Sequence, residues 1–370
     1  MQGGARRAER GVLPVRRSEC PSVPTQQMGL FQQPAEELSA ILSPPILLIA
    51  GPTAVGKSTL ALAIARRALA EIVVADSMQV YRGLDAGTSK PSSTERRAVP
   101  HHLLDICDPT ETFSAFEFVR RAKELVGEIR ARGRLPILVG GTGLYLRAFL
   151  KGHLAGDGGD PAVRARLRAE AARDGAAVLH TRLRTVDAVS AEAIRPGDVF
   201  RLVRALELWE QTGERPSTLR PALWDPPQVP VSAFLVLMRE REELYRMIDT
   251  RARRMWEGGL MAEVRGLLQA GYSPDLRPLQ ALGYRQVLAV LGGRLDEATA
   301  LAEMQRATRN YAKRQVTWFR REPAAEWVTV TGDEWAEPLA KAVLDRLEGS
   351  EDPGSARGQA GRPAGRGGEP

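Results

Sequence analysis

The run Gly51-Pro52-Thr53-Ala54-Val55-Gly56-Lys57-Ser58 constrains this chain more than any other feature. It satisfies G-x-x-x-x-G-K-[S/T] in full. It also lies between the apolar run Pro45–Ala50 and the Ala- and Leu-rich, helix-patterned stretch TLALAIARRALA. Strand, glycine-rich loop and helix in that order form the context in which the motif cradles phosphate. The glycines let backbone N–H groups turn toward phosphate oxygens, and the helix N-terminus adds positive potential. Lys57 is placed to neutralise terminal phosphate charge, and the Ser58 hydroxyl suits Mg²⁺. The motif specifies a di- or triphosphate rather than a nucleotide. The same cradle stabilises the end of ATP or pyrophosphate as a leaving group.

The rest of the chain extends this beginning into an alternating pattern. EIVVAD is a second buried-strand run, ending at Asp76. FSAFEFVRRAKELVGEIRARG is an amphipathic helix with Gly133 as its stop, and RLPILVGGTGLYLRAFL reads as strand, glycine turn and helix. Such alternation predicts an α/β fold, a P-loop NTPase-like parallel sheet flanked by helices. Between residues 161 and 228 no strong strand run occurs, which predicts an all-helical insertion. Val231–Met238 then returns as a strand, followed by a long helix broken near Gly258-Gly259 and by further helices. The core is thus expected over 44–160 and 229–348. The extension 1–43 and the Gly-, Pro- and Arg-rich tail 349–370 are expected to be disordered.

With 43% hydrophobic and 26% charged residues, the composition is that of a globular protein. No stretch reaches transmembrane length, and the N-terminus has no secretory h-region. Met28 is an alternative start. The two cysteines, Cys20 and Cys107, make neither a disulfide framework nor a zinc site, which suits a cytoplasmic setting. His101, His102 and Cys107 read as structural. The net charge of +7 points to a polyanionic partner.

In open α/β sheets, ligands bind beyond the carboxyl ends of the strands. Lys57, Asp76 and Thr142 all follow such ends and should meet in one crevice. Asp76 has three readings: a water-mediated Mg²⁺ ligand, an acceptor for a nucleophile's proton, or a strand-end cap. The turn Gly140-Gly141-Thr142-Gly143 places a hydroxyl between leaving phosphate and nucleophile.

The ordered segments GPTAVGKS, DSMQVYRGLDAGTSKP, HHLLDICDP, GGTGLYLRA, RPGDVFRLVRALELWEQTG, LQALGYRQV and YAKRQVTWFR resemble the bacterial tRNA dimethylallyltransferase (tRNA isopentenyltransferase) family, from about Pro45 to Arg320. The resemblance implies transfer of a dimethylallyl group from dimethylallyl diphosphate to the exocyclic N6 amine of adenosine 37 of tRNA, with pyrophosphate as leaving group and Mg²⁺ as cofactor. Asp76 would then accept the amine proton and face the base rather than the phosphate. Thr142 would lie in the reaction channel, and Ser77, Met78 and Gln79 would line the adenine side.

The resemblance also implies tRNA contacts at Arg164, along Phe200-Arg201-Leu202-Val203-Arg204, at Gly283-Tyr284-Arg285-Gln286, and at Lys313, Arg314, Gln315, Trp318 and Arg320. Phe200 departs from the family, where a polar residue is usual, and would stack or pack instead of hydrogen-bonding. Arg306, Arg309, Lys313, Thr317 and Arg320 form one helical stripe, with Tyr311 and Trp318 as stacking faces beside it. The target adenine would be flipped into a channel between core and insertion. A monomer is expected. Three other readings stay open at this point: a P-loop small-molecule kinase using ATP, an enzyme prenylating free adenine nucleotides, and a non-catalytic RNA-binding module. The last leaves the P-loop and Asp76 without a purpose.

Overall fold

Apolar runs become strands here because both faces of the sheet are covered. The computed structural model describes residues 46–151, 159–219 and 227–349. In it, β1 (Leu47–Ala50), β2 (Ala70–Val74), β3 (His101–His102), β4 (Leu135–Val139), β5 (Ala233–Met238) and β6 (Glu326–Thr329) form one sheet in the order β3-β2-β4-β1-β5-β6. Every pairing in it is parallel. Alternate side chains enter opposite cores. Leu48, Ala50, Val73, Leu138 and Val236 pack with the helices Ala115–Ala131 and Gly143–Leu150. Leu47, Ile49, Ile72, Ile137 and Leu235 pack with the P-loop helix Lys57–Arg67 and the C-terminal helix Ala336–Gly349. This two-faced burial explains the near-continuous hydrophobic runs.

The expected parallel α/β sheet is present, with two strands that the sequence did not announce. β3 is only the pair His101–His102, and β6 carries mostly exposed residues on the sheet edge. Neither has enough apolar length to register as a strand run. The segment after β4 holds only helices across residues 161–219, with a core of its own around Leu167, Leu179, Leu183, Leu202 and Leu206. The stretch PAVRARLRAEAARDGAAVLHTRL makes two helices, because Gly175 turns out of the helical region at φ 88°. The break near Gly258-Gly259 occurs as expected, at a π turn over Trp256–Leu260 with Gly259 at φ 106°. The expected terminal extension and tail lie outside the described residues, as do the insertion's residues 220–226. No helix among the described residues is long and apolar enough to cross a membrane.

Candidate active site

The strand order puts the carboxyl ends of β2, β4 and β1 side by side. Asp76 follows β2, the Gly140–Gly143 turn follows β4, and the phosphate loop follows β1. All three open onto one cleft of about 1020 Å³ lined by Lys57, Asp76, Gly141, Arg251, Tyr311 and Gln315, among others.

The loop holds its shape at a conformational cost. Ala54 sits at φ 66°, a left-handed conformation that costs a residue with a Cβ about 1 kcal/mol. Lys57 is the first residue of its helix, and its Nζ donates to the Pro52 carbonyl at 2.8 Å. Burial drives the Lys57 pKa down to about 7. The Arg251 guanidinium pushes it the same way, and Asp76 opposes both. A lysine so poised gains its proton when an anion arrives.

Asp76 is held by the turn it starts. Its Oδ1 accepts from the amides of Met78 (2.8 Å) and Gln79 (3.3 Å). Among the described residues, no hydrogen bond reaches its Oδ2. The cap reading and the proton-acceptor reading are therefore compatible, one oxygen serving each. Thr142 Oγ1 accepts from the Ser77 amide at 3.2 Å, which ties the β4 turn to the residue beside Asp76. Gln79 Nε2 donates to the Thr88 carbonyl at 3.1 Å, and Met78 packs against the core. Ser58 is exposed at the helix start.

A second basic wall was missing from the sequence reading. The helix Arg241–Met255 presents Glu243, Arg246, Met247, Thr250, Arg251 and Arg254 to the cleft at helical spacing. Arg251 reaches furthest. It donates to Thr53 Oγ1 (3.0 Å), Ser89 Oγ (3.3 Å) and the Thr88 carbonyl (3.4 Å), joining the phosphate loop to the segment after Asp76. That polar stripe on an otherwise ordinary helix was the available signal. Tyr311, expected to stack on RNA, lines the cleft. Burial and the Asp76 charge push its hydroxyl up to about 12.

The residues expected at a tRNA surface divide by burial. Phe200 is 62% exposed, and Arg201, Arg285, Lys313, Arg314 and Arg320 are exposed as well. Arg164 and Arg204 converge on the fully buried Glu207, each at 2.6 Å, while Arg201 pairs with Asp198 at 2.7 Å. Arg309, on the expected basic stripe, pairs with Asp249 at 2.5 Å. Leu202, Val203, Gly283, Tyr284, Gln286 and Gln315 are buried. Tyr284 donates to Glu263 at 2.6 Å, and Gln286 accepts from the Gly283 amide at 2.9 Å. Trp318 lies across Gly143 so closely that a Cβ there would meet its ring at 2.2 Å.

The parallel sheet, the glycine-rich loop after β1 and the flanking helices define an α/β protein with a P-loop-like fold. The chain belongs to the IPP transferase family, whose model matches residues 79–322. The match begins just after Asp76, so the phosphate loop and the carboxylate stand on their own geometry. The chain is 47% identical over 291 residues to the tRNA dimethylallyltransferase of Symbiobacterium thermophilum, covering 78% of this chain and 91% of that one. It is 49% identical over 283 residues to the enzyme of that name from Myxococcus xanthus, covering 76% and 91%. Among solved structures, it resembles the full-length tRNA isopentenylpyrophosphate transferase of Bacillus halodurans at 37% identity and a TM-score of 0.61, over 83% of this chain and 98% of that one. A eukaryotic dimethylallyltransferase acting on tRNA matches at 26% identity and a TM-score of 0.72, over 83% and 80%.

Proposed function

We propose that the protein transfers a dimethylallyl group from dimethylallyl diphosphate to N6 of adenosine 37 in the tRNA anticodon loop, releasing pyrophosphate and leaving N6-(dimethylallyl)adenosine. The observation that carries this reading is the meeting of Lys57, Asp76 and Gly141 in one cleft, with Thr142 tied to Ser77 beside Asp76, next to a helix that exposes Lys313 and Arg314. Relatives named for tRNA over most of their length favour tRNA over a free nucleotide or a kinase acceptor.

The chemistry follows from the placement. N6 attacks the allylic carbon, the C–O bond to the diphosphate breaks, and the amine's proton passes to Asp76 Oδ2. An exocyclic adenine amine is a weak nucleophile, so a positioned base is expected to matter. Protonated Lys57, Arg251 and the loop amides stabilise the charge that develops on the leaving oxygens. The Thr142 hydroxyl accepts from Ser77 and keeps its own proton to donate toward the bridging oxygen.

Among the described residues no group of three or more His, Cys, Asp or Glu side chains could hold a metal. Ser58, which lines the same cleft as Asp76, fits Mg²⁺, which keeps several waters and binds through few protein ligands plus substrate phosphates. When bound there, Mg²⁺ would supply further charge neutralisation to the diphosphate. We take the enzyme to act in the cytoplasm as a monomer, and gel filtration checks the oligomeric state.

The test is direct. Purified protein is incubated with Mg²⁺, labelled dimethylallyl diphosphate and unmodified tRNA bearing A37, beside tubes holding AMP and ATP with small acceptors. The RNA is digested and nucleosides are separated by mass. Label in the tRNA supports the reading. Prenylated AMP alone would move the chain to nucleotide chemistry, and ATP consumption alone would make it a kinase.

A further inference from the structure

Gln315 stands out from its surroundings. It is 6% exposed, on the buried stripe of the helix Glu297–Phe319 that also carries Ala300, Met304, Ala312 and Phe319. A polar side chain in an apolar stripe must find partners. Gln315 finds two, on different loops. Its Oε1 accepts from the Thr53 amide of the phosphate loop at 2.8 Å, and its Nε2 donates to the Gly141 carbonyl at 2.9 Å. Among the described residues, no other side chain bonds both segments. The fit is close: a Cβ on Gly141 would lie 2.2 Å from Nε2.

The residues beyond each partner are those that the chemistry uses. Thr53 lies four positions before Lys57 and also holds Arg251 through its hydroxyl. Gly141 precedes Thr142, whose Oγ1 is tied to Ser77 beside Asp76. A carboxamide suits this link because it accepts from one backbone N–H and donates to one backbone C=O at a single end. A carboxylate would face the Gly141 carbonyl with no proton to share. An alkyl group would leave both backbone groups buried and unpaired.

We propose that Gln315 is a positioning residue that holds the leaving-group loop and the Gly140–Gly143 turn in register, so that the allylic carbon of the bound diphosphate meets the amine at Asp76 and Thr142. The inference rests on the prenyl-transfer reading above and adds to it a residue whose two polar side-chain atoms are both bonded to backbone. Its effect therefore belongs on turnover and on the diphosphate, not on tRNA affinity.

The test uses the full chain and the variants Gln315→Leu, Gln315→Glu and Gly141→Ala. In single-turnover prenylation, Gln315→Leu should lower the rate about 10²-fold, the scale of a small misplacement of reacting groups. Its equilibrium affinity for tRNA should stay within about twofold of the parent, since no phosphate or base contact is removed. Gln315→Glu should recover relative to the parent as the pH falls, because a protonated carboxyl again donates to Gly141. Gly141→Ala pushes the carboxamide off the turn while leaving Gln315 and the rest of its helix unchanged in sequence, and should reproduce the rate loss. A folded Gln315→Leu with parental turnover would overturn the proposal. So would tRNA affinity falling in step with rate, or a Gln315→Glu ratio that is flat with pH. Should Gln315→Leu not fold, the Gly141→Ala rate decides alone. Should the parent protein itself leave tRNA unprenylated, the functional reading fails. Titration with inorganic pyrophosphate then still decides the link: binding weakened about tenfold by Gln315→Leu supports it, and unchanged binding refutes it.

Discussion

Asp76→Asn separates chemistry from architecture at the one carboxylate both depend on. Asparagine keeps an Oδ1 able to accept from the Met78 and Gln79 amides, at 2.8 and 3.3 Å in the parent. It removes the basic oxygen that would take the N6 proton. General-base catalysis contributes about 10²–10⁴ in rate, or roughly 3–5.5 kcal/mol of barrier. A loss in that range is expected in single-turnover prenylation with both substrates saturating, read as prenylated nucleoside by mass. The magnitude needs one correction. Asp76 raises the Lys57 pKa toward its value of about 7, so removing the charge lowers it further. Assays at pH 6 and pH 8 separate the two effects, since the Lys57 contribution shrinks at the lower pH while loss of the base does not. Asp76→Ala adds a structural penalty. It forfeits the turn's acceptor, at about 1 kcal/mol for a lost cap of this kind, and should lower Tm by about 2–4 °C. Turnover by Asp76→Asn within threefold of the parent would refute the reasoning, as would a fall in tRNA affinity that matched the fall in rate.

Pyrophosphate affinity, measured by calorimetry, should be highest below pH 7 and weaken as pH rises, because the free protein's Lys57 loses its proton near 7 and the anion binds the charged form. The same depressed pKa means that the unfolded chain binds one more proton than the folded one between about pH 7 and 10.5, so this group's contribution makes stability rise with pH across that window. Lys313→Ala removes an exposed cation that lies 6.0 Å from the Tyr245 ring; the log–log salt slope of tRNA binding should fall by about 1, with little change in turnover at saturation. Glu207→Ala leaves Arg164 and Arg204 without their shared carboxylate and should destabilise the protein by about 2 kcal/mol in urea denaturation, loosening the insertion while the phosphate loop keeps its pyrophosphate affinity.

What could be read in advance was what chemistry writes contiguously. The phosphate loop needs its glycines, lysine and serine within eight positions. Asp76 and Thr142 each end a strand run, so the rule that ligands gather beyond strand ends put them with Lys57. Arg251 escaped, and Gln315 was read only as a tRNA contact, because folding, not spacing, brings both to the phosphate loop: Thr53 meets them across 198 and 262 positions of chain. Each nevertheless left a trace, a polar face on one helix and a lone amide in the apolar stripe of another. The family's motif residues were legible as a set, but not which of them face outward. Tyr284 and Gln286 sit in a segment expected to touch RNA and spend their side chains on Glu263 and the Gly283 amide, because a buried polar group must be satisfied where it lies.

A carboxylate beside a phosphate site is tolerable only if the charges around it are arranged so that each costs the others little. Burial depresses both Lys57 and Arg251, the Arg251 charge lowers Lys57 further, and Asp76 opposes the shift in both. The aspartate is thus part of what keeps two cations together in a partly buried cleft. Its anchored oxygen points into backbone amides, which absorb negative charge without a proton. When a diphosphate enters, it takes over as counter-charge and draws a proton onto Lys57. When pyrophosphate leaves, Lys57 sheds its proton again, and Asp76 must do the same before the next turn. A single proton event at each end of the cleft follows, opposite in timing. Their separation is measurable as proton uptake on pyrophosphate binding in buffers of different ionisation enthalpy, near one proton per site at pH 8 and near none at pH 6. Equal uptake at both pH values would mean that Lys57 is not the group that responds.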